Sequence, residues 1–156
     1  MNNFLIAFVL FFFLVPSVHA DFQKGMNAYQ NKSYKTAFEE FKKSAEQGHA
    51  GAQYNLGVMY GTGQGVAQNY KEAAKWYRRA AEQGISDAQK HLGKMYYKGS
   101  GVAEDKVLAH MWFNIAASSG DRDAGRKRDF LSIRMTASQI KKAQEMAREW
   151  MEKHQK

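Results

Sequence analysis

The sequence predicts an all-α solenoid of stacked helix hairpins, and three observations carry that prediction. A spacing of 36 recurs: Tyr60, Gly63, Gly65, Val66, Ala73 and Trp76 return as Tyr96, Gly99, Gly101, Val102, Ala109 and Trp112. The sole proline is Pro16, so no later helix is interrupted by one, and Ala, Glu, Lys, Gln, Met and Arg are abundant. Strict two-residue alternation of apolar and polar residues is absent, so no strand is expected. Self-similarity at this period marks supersecondary units that bury their faces by stacking.

The first element lies outside the repeat. Phe4 to Val15 is a continuous apolar run, Pro16 breaks it, and Val18 and Ala20 are small residues at cleavage spacing. This is the pattern of a secretory signal peptide over residues 1–20, cut after Ala20, and the run is shorter than the ~20 residues that a spanning helix needs. Asp21 to Lys156 then forms the solenoid domain, in units of about 21–48, 49–84 and 85–120, with a C-terminal cap over 121–156.

Helix ends recur at the same period. Ser33, Asn69 and Asp105 are good N-caps, whose side-chain oxygens accept from free N–H groups of the first turn. Glu72, three residues after Asn69, suggests a capping box. Gly48, Gly84 and Gly120 fall where those helices should end, since glycine adopts the left-handed C′ conformation at little cost. Helices are therefore predicted over 34–47, 70–83 and 106–119.

A shorter helix precedes each of the last two. It is marked by Ala52 to Tyr60 and by Ala88 to Tyr96, in which Ala52, Leu56 and Tyr60 share one face. Leu56, Tyr60, Trp76, Leu92, Tyr96 and Trp112 are the predicted core. Gly57 and Gly93 sit mid-helix, which points to close approach of a partner helix, with Ala80, Ala81, Ala116 and Ala117 offering the matching small surface. The first unit lacks the glycine loop and has Glu40 at the tryptophan position. A terminal repeat commonly turns a polar face outward, so Trp76 and Trp112 are expected to pack toward the preceding repeat. At the far end Ala124 continues the series of Ala52 and Ala88, but Arg128 replaces leucine and the pattern dissolves. Thr136 and Gln139 then open a capping helix whose stripe is Ile140, Ala143, Ala147 and Trp150.

The glycine run Gly61, Gly63 and Gly65 could be mistaken for a phosphate cradle. A dinucleotide fingerprint needs a preceding strand and occurs once per fold, whereas this loop occurs twice and follows no strand pattern.

Composition narrows the partners. There is no cysteine, which excludes a disulfide framework and thiolate chemistry. The formal charge is +8, and none of it falls within residues 1–20. A basic balance can mean nucleic acid. For an exported chain an acidic protein, an anionic envelope polymer or a lipid surface fits better, so no nucleic-acid partner is expected.

Residues 52–84 resemble a Sel-one-like repeat (SLR), a relative of the tetratricopeptide repeat. The resemblance rests on an early Ala, Leu-Gly followed by Tyr, Gly-x-Gly-Val, Ala, Trp-Tyr, Ala-Ala and a final Gly. Residues 88–120 match the same pattern, and 21–48 resemble a plain tetratricopeptide unit. The resemblance implies a right-handed α/α superhelix acting as a protein-binding adaptor. Some cysteine-rich relatives are credited with β-lactam binding or hydrolysis, but this chain lacks their cysteine pairs.

No enzyme signal stands out. His49, His91, His110 and His154 include no pair at the i, i+4 spacing of a helical metal site. Glu39 and Glu40 are adjacent and point to different sides of a helix, and Ser118 and Ser119 have no base beside them in sequence. Asn31-Lys32-Ser33 matches a glycosylation sequon, though Ser33 is better explained as a cap. No cofactor or metal is expected.

In tetratricopeptide-like solenoids the first helix of each hairpin lines the concave face. The resemblance therefore places Phe22, Met26, Tyr29, Tyr54, Val58, Lys90, Lys94, Tyr97 and Lys98 there. Lys90, Lys94 and Lys98 lie four apart and form one stripe. The expected function is an exported, periplasmic or secreted, monomeric adaptor whose groove grades from aromatic to basic and holds a partner segment with an acidic end. The alternatives are an envelope enzyme or polysaccharide-binding protein related to β-lactam or peptidoglycan, and a basic protein in peripheral contact with a membrane.

Overall fold

A computed structural model describes residues 3–154, with side chains placed from Ser17 to His154. The apolar run Phe4–Val15 and Pro16, on which the signal-peptide reading rests, lie outside the described side chains. Among the described residues there are eight helices and no strand: α1 Asn3–Gln30, α2 Tyr34–Glu46, α3 Ala50–Thr62, α4 Tyr70–Glu82, α5 Ser86–Lys98, α6 Lys106–Ser118, α7 Arg122–Ser132 and α8 Ala137–His154. Helices α1/α2, α3/α4 and α5/α6 pack as hairpins, α2/α3 and α4/α5 link each hairpin to the next, and α6 packs on α7. Helix α8 packs on α6.

Helices α2, α4 and α6 end one residue earlier than the sequence predicts, at Glu46, Glu82 and Ser118, and α3 and α5 are not the shorter helices expected, since all five span 13 residues. Gly48, Gly84 and Gly120 follow two residues on, with φ of 93°, 88° and 95°. At the other ends Asn69 Oδ1 accepts from Glu72 N at 3.1 Å, and Asp105 Oδ1 accepts from Leu108 N at 2.9 Å. No capping box closes at Asn69, because its own N–H donates to Tyr60 O at 2.8 Å, tying the glycine loop shut. Asp105 N does the same to Tyr96 O at 2.9 Å. Ser33 is a correction: it occupies the N-cap position of α2, but its side chain makes no capping bond. The first hairpin turns through Lys32 at φ 58° instead of through a glycine loop, and Ser33 then enters the helix at ψ 63° instead of in the extended conformation of Asn69 and Asp105. Thr136 and Gln139 do form a reciprocal box, at 2.9 and 3.2 Å.

The mid-helix glycines receive aromatic rings. A β-carbon on Gly57 would stand 2.6 Å from the Tyr77 ring, and one on Gly93 would stand 2.8 Å from the Phe113 ring. Gly25 faces Phe41 at 2.6 Å in the same way. The close approach expected from sequence is present, but the partner is the ring one turn before the paired alanines. Ala80, Ala81 and Ala116 are buried elsewhere in the core, and Ala117 is half-buried.

Buried residues form two clusters. The first joins Ala37, Phe41 and Ala45 to Ala52, Leu56, Met59 and Trp76, so Trp76 packs toward the preceding repeat. The second contains Leu92, Tyr96 and Trp112 and extends to Leu131 and Ala147. Trp112 meets Trp150 of α8 edge to face, with ring centroids 5.8 Å apart. Tyr60 is only half-buried, against Phe38. Glu40 is not a freely solvated end face, since its side chain is 16% exposed and Oε2 is shielded.

Candidate functional site

The predicted concave residues divide into three groups. Phe22, Met26 and Tyr29 on α1 are half-buried against the first cluster. The Phe22 ring stacks on His49 at 4.2 Å, Met26 Sδ lies 3.9 Å from Asn55 Nδ2, and Tyr29 donates to Gln64 Oε1 at 2.8 Å. Contacts within the fold occupy much of this end.

The second group is an aromatic cluster. Tyr54 lies 5.9 Å from Tyr77 and 6.0 Å from His91, and His91 stacks on Tyr77 at 4.9 Å and an interplanar angle of 7°. Burial raises the pKa of both tyrosines. Burial, with a lesser push from Lys94, lowers that of His91, so the cluster is uncharged at neutral pH. Val58 packs beside it, half-buried.

The third group is basic, and here one expectation is corrected. Lys90 is not a free groove cation. Its Nζ is 2.7 Å from Asp121 and 3.2 Å from Asp87, and its side chain is 17% exposed. The bond to Asp121 raises the Lys90 pKa and lowers that of Asp121. Asp121 also caps α7 by accepting from Ala124 N at 2.9 Å, so the pair fastens α5 to the start of α7.

Lys94 and Lys98 differ: neither has an ion-pair partner among the described residues. They line two adjoining clefts. One, of about 490 Å³, is bounded by Tyr97, Phe113, Arg126, Lys127 and Phe130. The other, of about 320 Å³, contains Tyr70, Tyr77 and His91. Asp123 in the larger cleft is neutralised by Lys127 at 3.0 Å and Arg126 at 3.6 Å. Phe130 is 49% exposed, with the Arg134 guanidinium 3.8 Å over its ring. The result is a basic rim over an aromatic floor, able to hold a chain with a carboxylate and an apolar side chain close together.

Sequence reasoning missed the α7 wall of this groove, although a signal existed. Advancing Lys90, Lys94, Tyr97 and Lys98 by one period of 36 gives Arg126, Phe130, Ile133 and Arg134, of which Arg126 and Phe130 line the cleft. The loss of the leucine at Arg128 obscured that register. Arg128 instead bonds Asn114 Oδ1 at 3.0 Å and pairs with Asp129 at 2.8 Å.

A serine–histidine contact also escaped the sequence. His110 Nε2 is 3.0 Å from Ser132 Oγ. The Ser132 hydroxyl donates to Arg128 O at 2.9 Å, so its proton points away from the imidazole. Nδ1 of His110 is buried without a partner to orient the ring, and burial lowers the pKa of the group. The contact ties α6 to α7 and leaves Ser132 unactivated. No group of three or more His, Asp or Glu side chains among the described residues is arranged to hold a metal ion. No helix among them is long and apolar enough to cross a membrane.

Against known proteins, the Sel1 repeat family model matches residues 23–49, 50–85, 86–121 and 136–153. The chain belongs to the Sel1 repeat family. Sel1-repeat proteins act as protein-interaction scaffolds and are generally non-catalytic. Among solved structures, this Sel1-repeat chain is similar to c5321, a protective antigen of uropathogenic Escherichia coli with an SLR fold. The TM-score is 0.81 and the identity 35%, over 88% of this chain and 30% of that one. A Sel1 repeat protein from Oxalobacter formigenes matches at TM-score 0.67 and 35% identity, over 72% and 87% of the two chains. Helicobacter pylori cysteine rich protein B shares the fold at TM-score 0.55 and 22% identity, over 69% and 91%. A curated relative, the exopolysaccharide production negative regulator of Rhizobium leguminosarum bv. viciae, is 40% identical over 48 residues, which is 31% of this chain. The chain spans only 18% of that relative's length.

Proposed function

We propose that this Sel1-repeat chain is an exported adaptor that holds an extended segment of another protein in the groove between α5 and α7. The segment pairs an acidic residue with an aromatic or aliphatic one. The observation that carries this reading is the lysine pair: Lys94 and Lys98 line both clefts and no described carboxylate pairs with them. Cations left uncompensated above aromatic surface favour an anionic group tethered to an apolar one. Export is supported by the apolar run Phe4–Val15 and the small residues Val18 and Ala20. The relative named as a negative regulator of exopolysaccharide production is in keeping with action through a partner.

The test is site-specific photo-crosslinking in the native envelope from residue 97 in the groove and from residue 71 on the outside of α4. The expected result is one protein captured from residue 97 only, and lost in the Lys94→Glu/Lys98→Glu variant. Equal capture from both positions, or capture that survives the double charge reversal, moves the binding surface elsewhere.

A further inference from the structure

A second cleft, sharing no lining residue with the groove, is built around a defect in the repeat. At the first junction Gln83 donates from Nε2 to Gln53 Oε1 at 2.7 Å and to Gly48 O at 2.9 Å. Gln53 in turn donates from Nε2 to Ala45 O at 3.2 Å. One period later Gln89 takes the place of Gln53 and donates to Ala81 O at 3.1 Å, while Gly84 takes the place of Gly48. The residue equivalent to Gln83 is Ser119, which makes no hydrogen bond to Gln89 Oε1.

The consequence is a buried acceptor with nothing to accept. A backbone carbonyl only accepts, so the amide nitrogen of Gln89 must face Ala81 O, and Oε1 is turned the other way. That oxygen is buried without a partner, on a residue only 1% exposed. Its residue, Gln89, lines a cleft of about 490 Å³ between the ends of α4 and α6 and the last turns of α8. Glu82, Gly84, Ile115 and Trp150 complete the walls that matter.

Several groups at this cleft carry negative charge, set against the N-termini of α5 and α7, which begin nearby at Ser86 and Arg122. Helices α4 and α6 both end here, at Glu82 and Ser118, and helix C-termini carry partial negative charge. Glu82 adds a carboxylate, and the Trp150 ring offers a face that attracts cations. His154 also lines the cleft and covers one face of the Trp150 ring, stacked on it at 4.0 Å and bonded through Nδ1 to Trp150 O at 2.7 Å.

We propose that this cleft binds a guanidinium or primary ammonium group, whose N–H donors replace the missing Gln83-like amide. One donor serves Gln89 Oε1 and another is directed to Gly84 O, with the charge between Glu82 and the Trp150 ring and the aliphatic stem against Ile115. Two sources share this chemistry: a free amine, or the arginine or lysine side chain of a partner.

The test uses nuclear magnetic resonance of the Gln89 side-chain amide, with agmatine and N-acetylargininamide as separate probes and N-acetylglutamate as control. Both cations, or agmatine alone, should produce a saturable shift, and the glutamate none. Agmatine alone assigns the site to free amines, and binding of both extends it to arginine side chains. Ser119→Gln restores the amide found one repeat earlier, so it should raise the melting temperature and abolish the shift. Glu82→Lys, on the exposed rim, should weaken binding without altering the fold and stands in if Ser119→Gln does not fold. A flat titration of the parent protein with both cations overturns the proposal. So does a shift that persists unchanged in the substituted protein.

Discussion

The carbonyl of Tyr34 lies against Gly65 so closely that a β-carbon at residue 65 would overlap it, and one period later the carbonyl of Tyr70 lies against Gly101 in the same way. The glycine loops are thus contacts between repeats: each presses on the first turn of the second helix one hairpin back. Glycine is required twice over, because φ is 71° at both residues. Gly101→Ala should cost roughly 3 kcal/mol, at the upper end for a residue forced into the left-handed region, because overlap adds to strain. Gly84→Ala has φ of 88° but open space around the new methyl group, and should cost about 1–2 kcal/mol. Urea denaturation of the two variants checks the order. Equal losses would mean that strain alone accounts for both glycines.

Trp112 couples the last hairpin to α8 through Trp150. It is 5% exposed, so Trp112→Ala should cost roughly 3–5 kcal/mol. That is a large share of the ~5–15 kcal/mol that holds a domain together. Stability in a repeat array is shared between neighbours, so amide protection should fall across α8 as well as α6 in hydrogen exchange. Protection of α8 at the parent level would show that it is held independently of this ring.

The helices and most of their ends were legible in the sequence because they are local: a capping side chain and a C′ glycine act within one turn. Asn69, Asp105 and the three C′ glycines carry their own explanation. Ser33 does not, because its capping bond depends on how the chain enters through Lys32. The groove was half legible. Its α5 wall follows from the repeat, but the state of Lys90 is set by Asp121, which lies 31 residues on and doubles as the cap of α7. Charge pairing over that distance is decided by packing and leaves no trace in helical spacing. Helix α8 is a similar case, since its apolar stripe announces burial without naming α6 as the surface that receives it.

The Lys90–Asp121 pair gives stability a defined pH window. The bond depresses the pKa of Asp121 below its ordinary 3.8. Its stabilisation is therefore present above that value and lost as pH falls through the lower, folded-state pKa. Lys90 is raised above 10.5, so its share is present below that value and lost as pH climbs through the higher, folded-state pKa. Asp121→Asn keeps an oxygen to cap α7 but removes the charge. The variant should lose this pair's part of the acid limb of the stability profile and differ little once the pH is below the folded-state pKa of Asp121, where the paired carboxylate is itself protonated. Denaturant midpoints at successive pH values measure this. A constant offset between parent and variant at every pH would point to the cap and not the charge.

Lys90 and Lys94, one turn apart, should respond oppositely to charge reversal. Lys90→Glu sets three carboxylates together with Asp87 and Asp121 and should destabilise the fold. Lys94→Glu disrupts no ion pair and should leave the denaturation midpoint within error while weakening partner binding. The salt dependence of binding should also become shallower, since exposed charges act over only ~8 Å at physiological salt. Comparing denaturation and binding for the two variants separates the clamp from the groove. A stability loss at Lys94 equal to that at Lys90 would remove Lys94 from the proposed site.

Ser44 offers a structural readout of processing. It is fully buried and donates from Oγ to Val18 O at 2.9 Å, across the cut expected after Ala20. In the uncut chain Ser44→Ala removes one neutral hydrogen bond and should cost about 1 kcal/mol. In a chain beginning at Asp21 the acceptor is gone, the hydroxyl is already without Val18, and the same substitution should be neutral or slightly stabilising. The four proteins form a double-mutant cycle whose coupling term isolates the Val18 contact from other effects of removing the leader. Intact-mass measurement of the protein from its native compartment then states which form exists there. A chain starting at Asp21 is the expected result. A mass retaining Met1 to Ala20 would overturn cleavage, and a full-strength Ser44→Ala penalty in that form would make the Val18 contact part of the working fold.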